Sequence, residues 1–325
     1  MKMRYDVVAL GELLIDFTSN GSSEQGNPLF EANPGGAPCN MLAMLSKLGR
    51  KTAFLGKVGD DLFGRMLRAA IEGAGIDSHG LVDDPEANTT LAFVQTAPDG
   101  DRDFSFFRNP GADTQLTPGE LDLDALHRTR IFHFGSLSLT DEPARSATVR
   151  AVAEAKAAGA LISFDPNLRE PLWRSLDEAR EQMLWGAAQC DILKVAEEEL
   201  AFLTGLDDLE AGQAALRACF PQVRILFVTR GKQGAHAYCG ELRAQRAAFT
   251  ELHTIDTTGA GDTFCGCCLA KLLEYGIGNL TEGQLDDMLL FANAAASLVT
   301  TKRGAIRAMP IEAEILVLMD TARRA

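Results

Sequence analysis

The chain has 325 residues, 46% hydrophobic and 23% charged, the composition of a globular protein long enough for one large α/β domain with an appendage. A formal net charge of −14 argues against nucleic acid or an anionic membrane as partner, and no apolar run approaches the ~20 residues of a membrane-spanning helix. The opening Met-Lys-Met-Arg-Tyr-Asp runs straight into a strand, so a cytoplasmic protein is expected, and seven cysteines without framework spacing fit a reducing compartment.

Asp6 to Leu10 reads as a buried parallel strand stopping at Gly11, and Glu12 to Phe17 places Asp16 just past its C-terminal end, where open α/β sheets bind ligands. The polar stretch from Thr18 to Asn33 predicts an excursion from the core. Pro34-Gly35-Gly36-Ala37-Pro38-Cys39-Asn40 then opens a helix running to Leu48. Its glycine pair permits close approach of backbone to a ligand, and Asn40 can present an amide to hydroxyl groups; the alternative is a plain turn with Asn40 in solvent. Thr52 to Val58 is a strand, and Asp61 caps a helix to Ala74. Thr89 to Thr96 and Arg102 to Arg108 read as strands joined by a turn at Pro98 to Asp101. Phe104 and Phe106 alternate with polar neighbours along the second, which delivers Arg108 and the loop Asn109 to Asp113. This hairpin interrupts a βα pattern, so with residues 12–33 it is expected to form a small β lid that keeps water from a reaction site.

After Ile131 to Gly135 come a helix from Asp141 to Ala158 and a strand from Leu161 to Phe164 that ends in Asp165-Pro166-Asn167-Leu168-Arg169. Extended i, i+2, i+4 spacing would set Asp165, Asn167 and Arg169 on one side. A helix at 175–189, a strand Asp191 to Leu193 and an acidic helix from about Glu197 follow; a run of three glutamates is usually a solvated face, though a single member, Glu199, could still reach a metal's water shell. Val223 to Val228 leads into Thr229-Arg230-Gly231-Lys232-Gln233-Gly234, a glycine-bounded turn at the edge where nucleotides are contacted, and a hairpin from Ala235 to Ala247 comes next. Helices are expected at 260–275, 283–300 and from Pro310. Cys265 and Cys268 form a C-x-x-C inside the first of these; with no second pair nearby, packing is the better reading than metal or redox chemistry.

The most informative stretch is Asp256-Thr257-Thr258-Gly259-Ala260-Gly261-Asp262-Thr263-Phe264. Its Gly-Ala-Gly turn at a helix start aims unpaired amides at one point, an anion pocket reinforced by the helix dipole. A carboxylate there repels phosphate, so Asp262 needs another role, and general base toward an attacking hydroxyl is the simplest. An ordinary capping turn is the bland alternative.

Together these segments closely resemble the ribokinase-like (PfkB) carbohydrate kinase family over nearly the whole chain: Asp256 to Phe264 matches its C-terminal signature, and Gly35-Gly36 to Asn40 its N-terminal one. Within the family the loops Arg108 to Asp113 and Asp165 to Trp173 look most like those of fructokinases. The resemblance implies a three-layer αβα sandwich with a mostly parallel sheet, a β lid from about 12–33 and 89–113, and phosphorylation of the C6 hydroxyl of D-fructose by ATP with Mg²⁺. By position it implies Asp262 as base and the amides of Gly259, Ala260 and Gly261 as anion hole. Asp16, Gly35, Gly36, Asn40, Phe104, Phe106, Arg108, Asp165 and Arg169 are implied around the sugar, and Lys194, Thr229, Gly231, Gly234, Asn293 and Gly304 around the nucleotide. Glu199 is implied to hold Mg²⁺ through water, and Asp256 and Thr258 a monovalent cation such as K⁺. One departure stands out: many members carry Asn-x-x-Glu where this chain has Ala196-Glu197-Glu198-Glu199, which alters the expected metal shell. The rival substrate is 2-keto-3-deoxygluconate, whose carboxylate Arg108 would meet; the rival class is a non-catalytic, kinase-like regulatory subunit. No G-x-G-x-x-G follows the first strand and no G-x-x-x-x-G-K-[ST] occurs, which argues against a dinucleotide dehydrogenase and a P-loop kinase. Exposed strand edges of the lid suggest a homodimer.

Overall fold

The structure is a computed structural model that describes residues 4–96 and 102–324; the expected turn at Pro98 to Asp101 and the side chain of Phe104 lie outside the described residues. In chain order the first half holds β1 (Tyr5–Leu10), β2 (Leu14–Ser22), β3 (Pro28–Gly35), α1 (Ala37–Lys47), β4 (Thr52–Gly59), α2 (Leu62–Gly73), β5 (Ile76–Asp84), β6 (Leu91–Thr96), β7 (Arg102–Phe107), α3 (Leu123–His127), β8 (Thr129–Gly135), α4 (Ala144–Ala157) and β9 (Leu161–Asp165). The second half adds α5 (Leu176–Gln189), β10 (Ile192–Ala196), α6 (Glu197–Thr204), α7 (Leu209–Cys219), β11 (Ile225–Thr229), β12 (Ala235–Cys239), β13 (Leu242–Arg246), α8 (Ala260–Tyr275), α9 (Glu282–Val299) and α10 (Glu312–Arg324).

Nine strands form one sheet in the order β13-β12-β11-β10-β9-β8-β1-β4-β5, parallel from β11 to β5 and antiparallel only at β12 and β13. The alternation of side chains along these strands divides the apolar residues between two cores. Val7, Ala9, Phe54 and Ile225 face one way, toward α1, α2, α8, α9 and α10. Val8, Leu10, Leu55 and Leu226 face the other, toward α3, α4, α5, α6 and α7. The product is a three-layer αβα sandwich. Cys265 and Cys268 are buried in the first core, where burial pushes both thiols well above their ordinary pKa.

From β1 the chain winds through β4 to β5, then returns to β8 on the other side of β1 and proceeds to β11. The order therefore reverses between β1 and β8, and a crevice opens at the carboxyl ends of strands at such a reversal. Over it stands a second sheet, in the order β3-β2-β6-β7, built from the excursion and the interrupting hairpin. The polar stretch after Phe17 is thus a β-hairpin in this sheet. Among the described residues no helix is long and apolar enough to cross a membrane.

Candidate active site

The crevice is walled by Glu12, Leu14, Asp16, Gly36 and Asn40 on one side, Asn167, Arg169 and Lys194 on another, and the turn Thr257 to Asp262 at its base, with Val94 and Phe106 reaching in from the second sheet. Gly259 precedes α8 with φ of 78°, a left-handed conformation that favours glycine, and a side chain there would also meet the Ala305 methyl. The positive end of the 16-residue helix α8 thus points into the crevice. The anion hole needs one correction: the Ala260 amide turns back to donate to the Thr257 carbonyl at 3.3 Å, because the turn closes on itself.

Asp262, in the first turn of α8, is 9% exposed. Asn40 donates to its Oδ2 at 2.8 Å and Asn167 to its Oδ1 at 3.3 Å. Burial raises its pKa above the usual carboxylate range, while Asn40, Lys194, Arg169 and Asn167 pull the other way. The Asn40 Oδ1 atom is buried and has no protein partner, so it is placed to accept from a ligand hydroxyl.

Lys194, midway along β10, is ion-paired with Asp165 at 3.0 Å, both groups being buried. Desolvation works against the ammonium, but Asp165 and Glu199 outweigh it and raise its pKa, so Lys194 stays charged. Its Nζ sits 3.3 Å from where a Cβ on Gly261 would lie, beside the anion-binding turn. Asp165 itself is thereby committed to Lys194 and not free for a sugar, a correction to the expectation. The extended arrangement of Asp165, Asn167 and Arg169 is likewise absent, since Asn167 has φ of 54° and bends the chain. The bend still brings Asn167 and Arg169 into the crevice.

Gly35 and Gly36 are required by close approaches. A Cβ on Gly35 would collide with the Asp16 carboxylate, and one on Gly36, whose φ is 119°, with the Glu12 carbonyl. Gly35→Ala should therefore displace Asp16 and raise the KM of the acceptor by roughly 10- to 100-fold with kcat less affected, a split that steady-state kinetics reads directly.

Glu12 was not among the expected site residues, although its place past β1 is the same signal that marked Asp16. It is buried, accepts from the Ala37 amide at 2.9 Å, and its pKa is pushed up to about 7, chiefly by burial. The folded value lies above the ordinary 4.5, so its contribution to stability is full below pH 4.5 and is lost as pH rises to about 7. Glu12→Gln lacks this loss: relative to the parent, its unfolding free energy should improve between those pH values by an amount on the order of 3 kcal/mol, measured by denaturant titration.

Arg108 does not face the crevice. Its guanidinium is buried, bonded through Nε to Asp113 at 2.8 Å, to the Thr140 hydroxyl at 2.8 Å and to the Leu137 carbonyl at 2.9 Å. The reason is the buried Asp113 carboxylate, which needs a charge partner. Asn293 is also corrected: its amide donates to the Arg246 and Ala247 carbonyls at 2.9 and 3.2 Å and fastens α9 to the end of β13. Gly234, with φ of 95°, leaves room for the Arg246 carbonyl, and Gly231 has φ of 50°. The Thr229 hydroxyl lies 3.5 Å from the Val195 carbonyl, and these residues sit at the end of β11, outside the walls of the crevice.

Glu199 accepts from the Leu168 amide at 2.8 Å and the Ala196 amide at 2.7 Å, so both oxygens are used by backbone. The Asp256 carboxylate accepts from the Thr258 amide and hydroxyl and from the Gly304 amide, bracing one loop against the other. Among the described residues no group of three His, Cys, Asp or Glu side chains could hold a metal.

This constellation has known counterparts. Residues 4–312 match the pfkB family carbohydrate kinase pattern. The chain belongs to that family. This kinase is 46% identical to fructokinase-1 of Zea mays over 318 residues, 97% of the chain and 98% of the relative. Its fold superposes on the fructokinase of Xylella fastidiosa with bound ATP at a TM-score of 0.87 and 29% identity, covering 98% and 99% of the two chains. A double mutant of the Vibrio cholerae O395 fructokinase in its fructose-, ADP- and potassium-bound form gives 0.86 at 29% identity, with the same coverage.

Proposed function

We propose that the chain is an ATP-dependent fructokinase that phosphorylates the C6 hydroxyl of D-fructose, with Asp262 as the base. The observation that carries this reading is one crevice in which the Asp16 carboxylate, the unpartnered Asn40 Oδ1 and the Asp262 carboxylate at the N-terminus of α8 all meet. Fructose lies under the second sheet, which acts as a lid; Asp16 and Asn40 take its hydroxyls, and the primary hydroxyl rests against Asp262. ATP lies across the turn, toward Thr229, Gly231 and Gly304, and its γ-phosphoryl group meets the Gly261 amide, the helix dipole, Lys194 and Arg169. The oxygen attacks phosphorus in line while the bond to ADP breaks, and the proton passes to Asp262. Because a carboxylate is a weak base toward an alcohol, this transfer comes late, and Asp262 mainly orients the nucleophile. Mg²⁺ entering with the triphosphate would supply charge neutralisation on the phosphoryl oxygens. Glu199 supports that site by holding the 168 and 196 amides, and the Asp256 brace shapes the loop on which a K⁺ ion would sit.

Burial of Arg108 against Asp113 takes away the arginine that the sugar-acid reading assigned to the carboxylate, which favours fructose over 2-keto-3-deoxygluconate. A coupled ADP-release assay with each sugar, in KCl and in choline chloride, tests this: turnover with fructose, faster in KCl, is expected, and turnover with 2-keto-3-deoxygluconate alone would overturn it. The outer face of the lid carries Phe93 with Phe17, Phe30 and Phe107 packed around it, Phe107 being 63% exposed, and supports a homodimer through this face. Light scattering should give twice the chain mass for the parent and less for Phe107→Ser; a monomeric parent would refute the dimer.

A further inference from the structure

Both oxygens of Asp262 are held, and by different parts of the fold. Asn40, on α1, takes Oδ2, and Asn167, in the turn after β9, takes Oδ1. One amide alone leaves the carboxylate plane free to swing about the bonded oxygen; a second donor on the other oxygen fixes it. Asn167 is also the one non-glycine residue with positive φ among the described residues, at 54°. Asparagine tolerates that region better than most residues, but it persists only where neighbours over-determine it. They do so here. Asp165 is anchored to Lys194 at 3.0 Å, the Pro166 carbonyl accepts from the Ser136 amide at 3.0 Å, and the Leu168 amide donates to Glu199 at 2.8 Å. Three anchors thus surround one bent residue whose side chain reaches the base.

We propose that Asn167 is a positioning residue for phosphoryl transfer: the anchored left-handed turn aims its amide at Asp262 Oδ1 and, with Asn40, holds the carboxylate in the plane that meets the acceptor hydroxyl. The assignment rests on Asp262 being the base. It also gives Glu199 a purpose besides any metal, since Glu199 secures the residue next to Asn167. The amide favours the ionised carboxylate, so its loss raises the pKa of the base further.

The test is Asn167→Gly, which accepts the left-handed backbone without strain and removes only the amide. A fall in kcat of roughly 10- to 100-fold is expected, with the KM values of fructose and ATP within about twofold, an unchanged or higher Tm, and the acid limb of the kcat/KM profile moved to higher pH. Asn167→Asp should move that limb in the same direction and further, by placing a second negative charge beside Asp262. Asn167→Ala should match the glycine variant in kcat but melt at a lower temperature. Wild-type kcat with an unmoved acid limb in Asn167→Gly, or a loss confined to KM, would overturn the proposal. Asp262→Ala run in parallel separates the two failures. If that variant is inactive while Asn167→Gly is not, only the positioning role falls; if it retains turnover, the base assignment falls as well.

Discussion

Asp262→Ala is expected to lower kcat by at least roughly 10²- to 10⁴-fold, the range for loss of a general base, while the KM of fructose stays close to that of the parent. The carboxylate is buried at a helix N-terminus, where it gains from the dipole but is penalised by desolvation, and its raised pKa reports that the penalty wins. Removing it should therefore leave the melting temperature unchanged or higher, since the fold is relieved of a poorly solvated charge. A variant that is inactive and yet at least as stable as the parent is what a catalytic acid group leaves behind. A variant that is inactive and unstable would instead mark Asp262 as structural.

The second large effect concerns Arg108. Arg108→Met leaves the Asp113 carboxylate buried without its ion pair and should destabilise the protein by about 3–5 kcal/mol, measured by denaturant unfolding. Adding Asp113→Leu should recover much of that loss, because two apolar side chains replace two buried charges. Thermal stability, with the sugar KM a smaller change, is the expected readout. The residue directly follows β7 and bonds to Leu137 and Thr140 in the main body, so it is the pin at the root of the lid. A large rise in the fructose KM with undiminished stability would return Arg108 to the sugar site.

Much of the fold was legible because parallel strands are apolar on both faces and their neighbours carry strong stop signals. Asp61 does cap α2 through the Gly64 amide, and α1, α5 and α8 fall within a few residues of their expected bounds. The edge strand β5 was not legible. Ile76 to Asp84 reads Ile-Asp-Ser-His-Gly-Leu-Val-Asp-Asp, too polar for the apolar-run template, and it is held as a strand by pairing with β4. Helix α7 went unnamed for a related reason: Leu209 to Cys219 buries only Gly212, Gln213 and Leu216.

In the site, residue types at strand ends and in glycine turns were readable, and they converge: Asp16, Asn40, Phe106, Arg169, Lys194 and the 259–262 turn share one crevice. What sequence spacing does not carry is which polar group consumes which. Arg108, Asp165 and Glu199 each looked available, and each is spent within the protein: Arg108 on Asp113 in the following loop and on Leu137 and Thr140, Asp165 on Lys194, and Glu199 on backbone amides. The left-handed turn at Asn167 was equally invisible, because an Asp-Pro-Asn run is compatible with extended backbone until the rest of the fold bends it.

A crystal of the protein with fructose and a non-hydrolysable ATP analogue tests most directly whether the acceptor's primary hydroxyl meets Asp262 at the N-terminus of α8. The C6 oxygen should lie within about 2.6–3.2 Å of the Asp262 carboxylate and in line with the γ-phosphorus, with Asp16 holding other hydroxyls of the same sugar. Fructose bound with C6 directed away from Asp262, or the γ-phosphoryl group bound far from the Gly261 turn, would contradict it.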